Sequence, residues 1–224
     1  MKILITAATP FELAPLRKYL THTFEQQESG GFTKNELEVY LTITGIGMAI
    51  TAYNLGWVFA ISDFDLAINA GIAGAFDKKM KLGEVVHVVR ERFGDLGVEE
   101  ADGTFTSIHE LNLIEAYEPP FRNGELLNPS AMAFDFLPKC SGLTVNKVHG
   151  SAGSILAIRQ KYPADVESME GAAFFYACLT AKQPFLEIRA ISNYVEPRNR
   201  EAWNLPLAID NLNFVLIELL DTFH

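Results

Sequence analysis

The sequence predicts a three-layer α/β/α protein in which helices cover both faces of a central sheet. Short runs rich in β-branched residues recur along the chain, and each ends near Gly, Pro, Asn or a charge, as buried strands do. Segments with helical apolar spacing alternate with these runs, which favours a largely parallel sheet. The length of 224 residues and the apolar fraction of 49% predict one domain spanning residues 1–224.

The elements follow one another in a regular order. The pattern predicts strands at 3–8, 39–44, 65–69, 84–89, 143–148 and 185–191, and helices at 12–21, 48–61, 154–161, 169–181 and 206–223. Thr9 and Pro10 are expected to cap and open the first helix. Segment 93–128 is rich in Gly, Pro and Asn, which indicates excursions above the sheet and not a linker.

Charge and cysteine content limit the possible partners and locations. Lys plus Arg is 18 and Asp plus Glu is 28, so the formal net charge is −10. This acidic balance argues against nucleic acid and anionic membrane surfaces as partners. No run approaches the roughly 18 apolar residues of a membrane span, and the apolar start is too short for a signal peptide. With only Cys140 and Cys178, we expect a cytoplasmic protein with reduced thiols.

Two glycine segments follow predicted strands and are candidate ligand loops. They are 45–47, which contains Gly47, and 71–74, which contains Ala73 and Gly74. Glycines at the carboxyl end of a strand let a ligand approach the backbone. Tight packing explains them equally well, and neither segment matches the dinucleotide or phosphate-loop fingerprint.

Two carboxylates and one polar loop are candidate catalytic groups. Glu12 follows the first strand and Glu170 opens a helix, although a glutamate there is often only a favourable partner of the helix dipole. Segment 189–203 joins a strand to a loop holding Asn193, Arg198, Arg200 and Trp203, which is how many α/β enzymes build a site; an ordinary solvated loop is the alternative. Serine elbows and metal-binding histidine spacings are absent from the sequence, so we expect neither metal nor cofactor.

These residues lie in motifs that resemble the nucleoside phosphorylase/hydrolase superfamily, in particular its methylthioadenosine/adenosylhomocysteine nucleosidase branch. The resemblance covers most of the chain and keeps the order of the motifs. They are ATPFEL around Glu12, TGIGMAITA at 44–52, NAGIAGAF at 69–76, LGEVV at 82–86, RFGDLGVEEADG at 92–103, GSAGS at 150–154, SMEGAAF at 168–174 and RAISN at 189–193. The resemblance implies a mixed central sheet and cleavage of an N-glycosidic bond.

The resemblance also implies roles for individual residues. Glu12 matches the general base that activates water, and Glu170 matches the carboxylate that binds the ribose hydroxyls. Met169 would pack against the sugar. The small residues Ala73 and Gly74 would let the base lie on the backbone. The family also has an aromatic residue that stacks on the base just before the Gly-Ser turn. The segment that matches it best by spacing here is Lys147–His149, which contains Val148 but no clear counterpart of that residue.

Asn193 departs from the pattern, because adenine-releasing nucleosidases carry aspartate there. An amide can donate to the carbonyl of hypoxanthine, whereas an ionised aspartate can only accept. An unsatisfied buried group costs about 1–3 kcal/mol, which is enough for tenfold selectivity. The sequence therefore points to a 6-oxopurine leaving group.

The tail at 192–211 most resembles the futalosine hydrolases of the alternative menaquinone pathway, which release hypoxanthine from futalosine. Futalosine carries a benzoate, so we expect Arg198 or Arg200 to bind its carboxylate and Trp203 to form a wall of the slot. The alternative is that these arginines pair with Glu196 and Glu201 on the surface.

Three other functions stay open at this stage. A purine nucleoside phosphorylase would use phosphate as the nucleophile, but the loop at Glu12 offers a carboxylate where phosphate needs cations. A methylthioadenosine/adenosylhomocysteine nucleosidase would release adenine. A non-catalytic nucleoside-binding protein would have no use for Glu12. By resemblance we expect a homodimer or larger homo-oligomer that binds a small-molecule nucleoside.

Overall fold

The computed structural model describes residues 1–132 and 134–223. The strands are β1 (Lys2–Ala7), β2 (Glu25–Gln26), β3 (Phe32–Lys34), β4 (Leu37–Ile43), β5 (Leu66–Ala75), β6 (Val85–Glu91), β7 (Gly97–Glu99), β8 (Phe105–Ser107), β9 (Leu126–Leu127), β10 (Lys139–Thr144), β11 (Val166–Ser168) and β12 (Phe185–Tyr194). The helices are α1 (Ala14–Thr23), α2 (Met48–Ile61), α3 (Ala152–Lys161), α4 (Gly171–Ala181) and α5 (Leu205–Asp221), with a 3₁₀ turn at Arg200–Ala202.

One mixed sheet organises the described part of the chain. Its strands run in the order β11-β10-β6-β12-β5-β1-β4-β3-β2, with β9 beside β6. β1, β4, β5 and β12 are mutually parallel, whereas β12 and β6 are antiparallel. The short strand β11 also pairs with β5, so β5, β12, β6, β10 and β11 close on one another. The carboxyl ends of the parallel strands therefore meet at one edge, where α/β proteins bind ligands.

Helices cover both faces of this sheet and confirm the predicted α/β/α fold with a mixed sheet. Leu16 and Leu20 of α1 and Leu212 and Leu216 of α5 pack on one side, in a cluster with Ile5. α2 and α4 pack on the other side, where their buried apolar residues join those of β5, β6 and β12. No helix in the described ranges is long and apolar enough to cross a membrane.

The structure corrects the predicted start of the first helix. α1 begins at Ala14 instead of residue 12, and Pro15 stands in its first turn in place of Pro10. Thr9 does not cap the helix, because its backbone N–H and its hydroxyl both donate to the carboxylate of Glu12. Thr9 therefore fixes the carboxylate of Glu12, a candidate site residue, instead of capping α1.

Two predicted strand bounds are also wrong. β5 runs on to Ala75 instead of ending at 69, so the glycines at 71 and 74 lie within a strand and not in a turn after it. The strand predicted at 143–148 ends at Thr144 because its pairing partners end there. In the following loop, the Asn146 N–H donates to the carboxylate of Asp95 at 2.7 Å.

Candidate active site

Glu12 lies in the turn after β1 with its carboxylate fixed by three hydrogen bonds. Its Oε2 accepts from the backbone N–H and from the hydroxyl of Thr9, both at 2.9 Å, and its Oε1 accepts from the Ile72 N–H at 3.2 Å. The residue is only 7% exposed. A buried carboxylate that is bound by neutral donors keeps a lone pair for one further ligand, which a base acting on water requires.

Glu170 stands at the N-terminus of α4, as the sequence predicts, and faces the N-terminus of α2. Its Oε1 accepts from the Gly47 N–H at 3.0 Å. Gly47 has φ +90°, a conformation that favours glycine and that turns this N–H toward the carboxylate. Burial raises the pKa of Glu170, while Arg189 and the Gly47 N–H act in the opposite direction. The second oxygen is left for a ligand such as a hydroxyl.

A buried arginine lies close enough to both candidate carboxylates to interact with their charges. Arg189, on β12, is 2% exposed, and its Nε donates to Oε1 of Glu187 at 2.8 Å. A terminal nitrogen also donates to Oδ1 of Asn69. Burial disfavours the guanidinium charge, but Glu187, Glu170, Glu12 and Glu91 surround it, and the net result is a raised pKa. Arg189 is therefore a permanent cation between the carboxylates.

Gly71 makes room for this arrangement. A Cβ atom at this position would lie 2.2 Å from Nη1 of Arg189 and 3.0 Å from Oε1 of Glu12. Both distances are shorter than ordinary van der Waals contact. The glycine thus lets the guanidinium and the carboxylate approach the same stretch of β5.

Two further carboxyl groups lie behind Arg189, at the start of α4. A Cβ atom at Gly171 would be 2.3 Å from Oε1 of Glu91 and 2.6 Å from Oε1 of Glu187. Burial and the neighbouring Glu187 raise the pKa of Glu91 well above its usual value. The pKa of Glu187 is also raised by burial, with Arg189 opposing the shift. Burial and the charge of Glu187 thus favour the protonated form of Glu91, whereas Glu187 is the partner of the guanidinium.

Asn193 lies at the carboxyl end of β12 with its amide held in one orientation. Its Oδ1 accepts from the Ser192 hydroxyl at 2.8 Å, and its Nδ2 donates to the Tyr194 carbonyl at 3.1 Å. A Cβ atom at Gly74 would be 3.0 Å from Nδ2. The amide therefore presents its remaining N–H toward the space above Gly74. Ala73, the other small residue predicted here, is buried in the adjacent core.

A cleft opens beside Asn193. Its lining includes Gly74 and Asn193, the segment Val148–His149, and Arg198 and Trp203 of the predicted polar loop. The Arg198 N–H donates to the Gly150 carbonyl at 3.1 Å, which holds the loop against the Gly-Ser turn. The structure thus brings Val148, Arg198 and Trp203 together with Asn193.

The remaining predicted residues lie less close to this cleft. Arg200 is exposed in the 3₁₀ turn, and its guanidinium is 5.9 Å from the Trp203 ring centroid, while that of Arg198 is 5.4 Å away. Met169 is half-buried between β11 and Glu170. Glu196 pairs with Lys78 at 2.9 Å and not with either arginine. Across the described ranges, no three His, Cys, Asp or Glu side chains are placed to bind a metal ion.

Sequence reasoning missed Arg189 and the pair His149–Glu167 as site residues. Glu187 and Arg189 are two residues apart in an apolar run, so they share one face of a buried strand, and that charge pair was an available signal. Glu167 accepts from the His149 backbone N–H at 3.0 Å and from its ring Nδ1. Eighteen residues separate these two along the chain, and no spacing rule connects them.

Comparison with known proteins agrees with this fold. The sequence profile of the Phosphorylase superfamily matches residues 2–120. The chain is 34% identical over 148 residues to the futalosine hydrolase of Streptomyces coelicolor, covering 65% of this chain and 61% of that one. It is 32% identical over 179 residues to the futalosine hydrolase of Thermus thermophilus, covering 78% of this chain and 77% of that one. The chain therefore belongs to the Phosphorylase superfamily and, within it, to the futalosine hydrolase family.

A second group of relatives carries a different name. A 5′-methylthioadenosine/S-adenosylhomocysteine nucleosidase of Colwellia psychrerythraea is 27% identical over 236 residues, covering 96% of this chain and 94% of that one. Among solved structures, native futalosine hydrolase of Helicobacter pylori superposes with a TM-score of 0.78 at 15% identity, covering 99% of this chain and 98% of that one. At that identity the superposition supports the fold alone.

Proposed function

We propose that this protein hydrolyses the N-glycosidic bond of futalosine and releases hypoxanthine and dehypoxanthine futalosine. A single domain spanning residues 1–224 would do so without metal or cofactor. The observation that carries this proposal is the site itself, in which Glu12 and Glu170 are buried near the charge of Arg189 and Asn193 ends the same strand, β12, that carries Arg189. The choice of futalosine as the substrate rests on the relatives named futalosine hydrolase.

The carboxylates fit a reaction that passes through a ribosyl cation. Glu12 would take a proton from the attacking water, since its hydrogen bonds come from fixed neutral donors. Glu170 would bind the ribose hydroxyls with its free oxygen, and its charge would stabilise the developing cation. The charge of Arg189 favours the ionised form of both carboxylates without direct ion pairing, because its salt bridge is with Glu187.

Water fits this site better than phosphate does. Three neutral donors bind Glu12, and the nearby guanidinium of Arg189 is already bonded to Glu187 and Asn69. A phosphate would meet the carboxylates of Glu12 and Glu170, and no cation beside them in the described part of the chain is free of a carboxylate partner. This argues against the phosphorylase alternative.

Asn193 favours hypoxanthine over adenine as the leaving base. The Ser192 hydroxyl holds Oδ1, so the amide offers an N–H donor to the cleft. Hypoxanthine has a carbonyl to accept it, whereas the amino group of adenine would place two donors face to face. This argues against the methylthioadenosine/adenosylhomocysteine nucleosidase alternative.

The far end of futalosine carries an aryl carboxylate, for which the loop after Asn193 offers a cation and an aromatic wall. Arg198 and Arg200 have no carboxylate partner within the described residues, and both stack on Trp203. A planar guanidinium without an acidic partner can bind a carboxylate in a bidentate manner.

The enzyme is proposed to work in the cytoplasm, in menaquinone synthesis, as a homodimer or larger homo-oligomer. α2 shows an apolar stripe at helical spacing formed by Ile50, Tyr53, Trp57 and Ile61, each between 53% and 75% exposed. A contiguous apolar stripe of this kind marks an interaction surface. We expect light scattering to give at least twice the 24.9 kDa chain mass and Trp57→Glu to reduce it; a monomeric wild type would contradict the proposal.

A nucleoside panel tests the substrate. Purified protein is incubated with futalosine, inosine and 5′-methylthioadenosine, and free bases are separated by chromatography. We expect hypoxanthine from futalosine and little adenine from 5′-methylthioadenosine, with Asn193→Asp weakening the first reaction. Preferential adenine release would support the nucleosidase alternative, and release of no base from any nucleoside would leave a binding protein.

A further inference from the structure

The proposed reaction needs a proton donor that Asn193 cannot supply. A purine leaves ribose as a neutral base only if a proton reaches its ring nitrogen as the glycosidic bond breaks. The amide of Asn193 can hold the base by a hydrogen bond, but an amide does not transfer a proton at neutral pH. If the leaving group is a purine, as the proposed function requires, the acid must come from another residue of the same cleft.

Sheet register places a second polar group opposite Asn193. Gly74 of β5 pairs with Asn193 of β12 on one side and with Glu167 of β11 on the other. The three residues line the same cleft. Adjacent strands are about 4.8 Å apart, so a gap of roughly 10 Å separates the backbones at Asn193 and Glu167, on either side of Gly74. A purine ring bound in this cleft would have a polar group on either side.

His149 stands on the Glu167 side of this gap. Glu167 is 4% exposed, and its two oxygens accept from the His149 backbone N–H and from the ring Nδ1. These two bonds fix both the chain and the ring, and they leave Nε2 as the ring nitrogen available to a ligand in the cleft. Glu167 therefore positions His149 as the orienting carboxylate does in other acid–base pairs.

The other ionisable groups that line the cleft are already engaged or cannot act as acids. Glu196 pairs with Lys78, and the Tyr194 hydroxyl donates to the Met80 carbonyl at 3.0 Å. Arg198 also lines the cleft, but a guanidinium does not release its proton in proteins. An imidazole has a second ring nitrogen that can hold and release a proton, so His149 is the lining residue suited to proton transfer.

We propose that His149, positioned by Glu167, is the general acid that protonates the departing purine. The electron pair of the C1′–N9 bond moves onto the purine, and the proton on Nε2 passes to purine nitrogen 7. The oxygen of water bonds to C1′, and its proton passes to Glu12. Solvent then carries one proton from Glu12 back to His149, so one water is consumed and hypoxanthine leaves neutral.

Replacing His149 separates this role from a structural one. In His149→Gln the backbone N–H can still donate to Glu167, but the side chain cannot transfer a proton. The matched control is His22→Gln, because His22 is exposed on α1 and outside the site. Each variant is assayed with the purine nucleoside that wild type cleaves fastest, and with 4-nitrophenyl β-D-ribofuranoside, whose leaving group departs as an anion.

We expect His149→Gln to lower purine release by about 10²–10⁴-fold, while nitrophenolate release stays near wild type. The fall in kcat/KM at alkaline pH that marks the acid in wild type should disappear in this variant. His22→Gln should behave as wild type with both substrates. Equal losses with both substrates, or an unchanged alkaline fall, would overturn the proposal.

The assay also tests the role of His149 separately from the proposal that futalosine is the substrate. If wild type cleaves another purine nucleoside but not futalosine, the proposed substrate is wrong, and the comparison of leaving groups on that nucleoside still decides the role of His149. If futalosine is cleaved and His149→Gln retains full purine release, the substrate stands and the general acid is refuted.

Discussion

Replacing Glu12 by glutamine tests the geometry on which water activation depends. Glutamine keeps the size of the side chain but has one N–H₂ where glutamate has an oxygen. In either orientation that N–H₂ faces a donor, either Thr9 at 2.9 Å or Ile72 at 3.2 Å. Two buried donors face to face lower the free energy of unfolding by about 1–3 kcal/mol. The amide also cannot accept a proton from water, so kcat should fall by about 10²–10⁴-fold.

Two assays separate the loss of stability in Glu12→Gln from its loss of catalytic activity. Thermal unfolding should show a lower Tm, by about 2–4 °C per kcal/mol in a chain of this length. The matched control Thr9→Val removes one hydrogen bond to Oε2 but keeps the carboxylate, and it should retain most of kcat at a similar Tm loss. If Glu12→Gln hydrolyses nucleoside at a rate close to that of Thr9→Val, Glu12 is not the base.

Three further predictions concern the groups around these carboxylates. Because the pKa of Glu91 is raised, the folded protein keeps a proton that the unfolded chain releases above about pH 4.5. The free energy of unfolding of wild type should therefore fall relative to Glu91→Gln by up to about 1.4 kcal/mol per pH unit as pH rises, measured by urea titration; parallel pH curves would refute this. Gly71→Ala should lower stability by about 1–3 kcal/mol in the same titration and displace Arg189, with a large loss of kcat; a fully active variant would contradict the close approach. Arg198→Met and Arg200→Met should raise KM for futalosine far more than for inosine in steady-state assays, and equal effects on both substrates would show that neither arginine binds the carboxylate.

The sequence predicted the fold because local patterns determine most of it. The strands that became β1, β4, β6 and β12 are apolar runs, and the five helices have helical spacing of apolar residues, so their positions could be assigned from the chain alone. The short strand β11 could not be assigned, because three residues that include Glu167 and Ser168 look like a loop. Its pairing with both β10 and β5 depends on long-range contacts that no local pattern encodes.

The same distinction applies to the site. Glu12, Glu170 and Asn193 could be singled out because each follows or opens a predicted element, and the structure places them near one edge of the sheet. Thr9 could not be assigned correctly, since a threonine before a helix is usually a cap, and here its two donors bind Glu12 instead. Glu167 lies on β11, which is held by long-range pairing with β5 and β10, so its contact with His149 was beyond local sequence patterns.

Hydrolysis of futalosine in ¹⁸O-labelled water without phosphate is the most direct test of the proposed function. The carboxylates of Glu12 and Glu170 and the absence of a free cation beside them among the described residues favour attack by water. The account predicts free hypoxanthine and one ¹⁸O atom at C1′ of the sugar product, at a rate that added phosphate does not increase. Base release that requires phosphate and yields a sugar 1-phosphate, or no release of hypoxanthine at all, would contradict it.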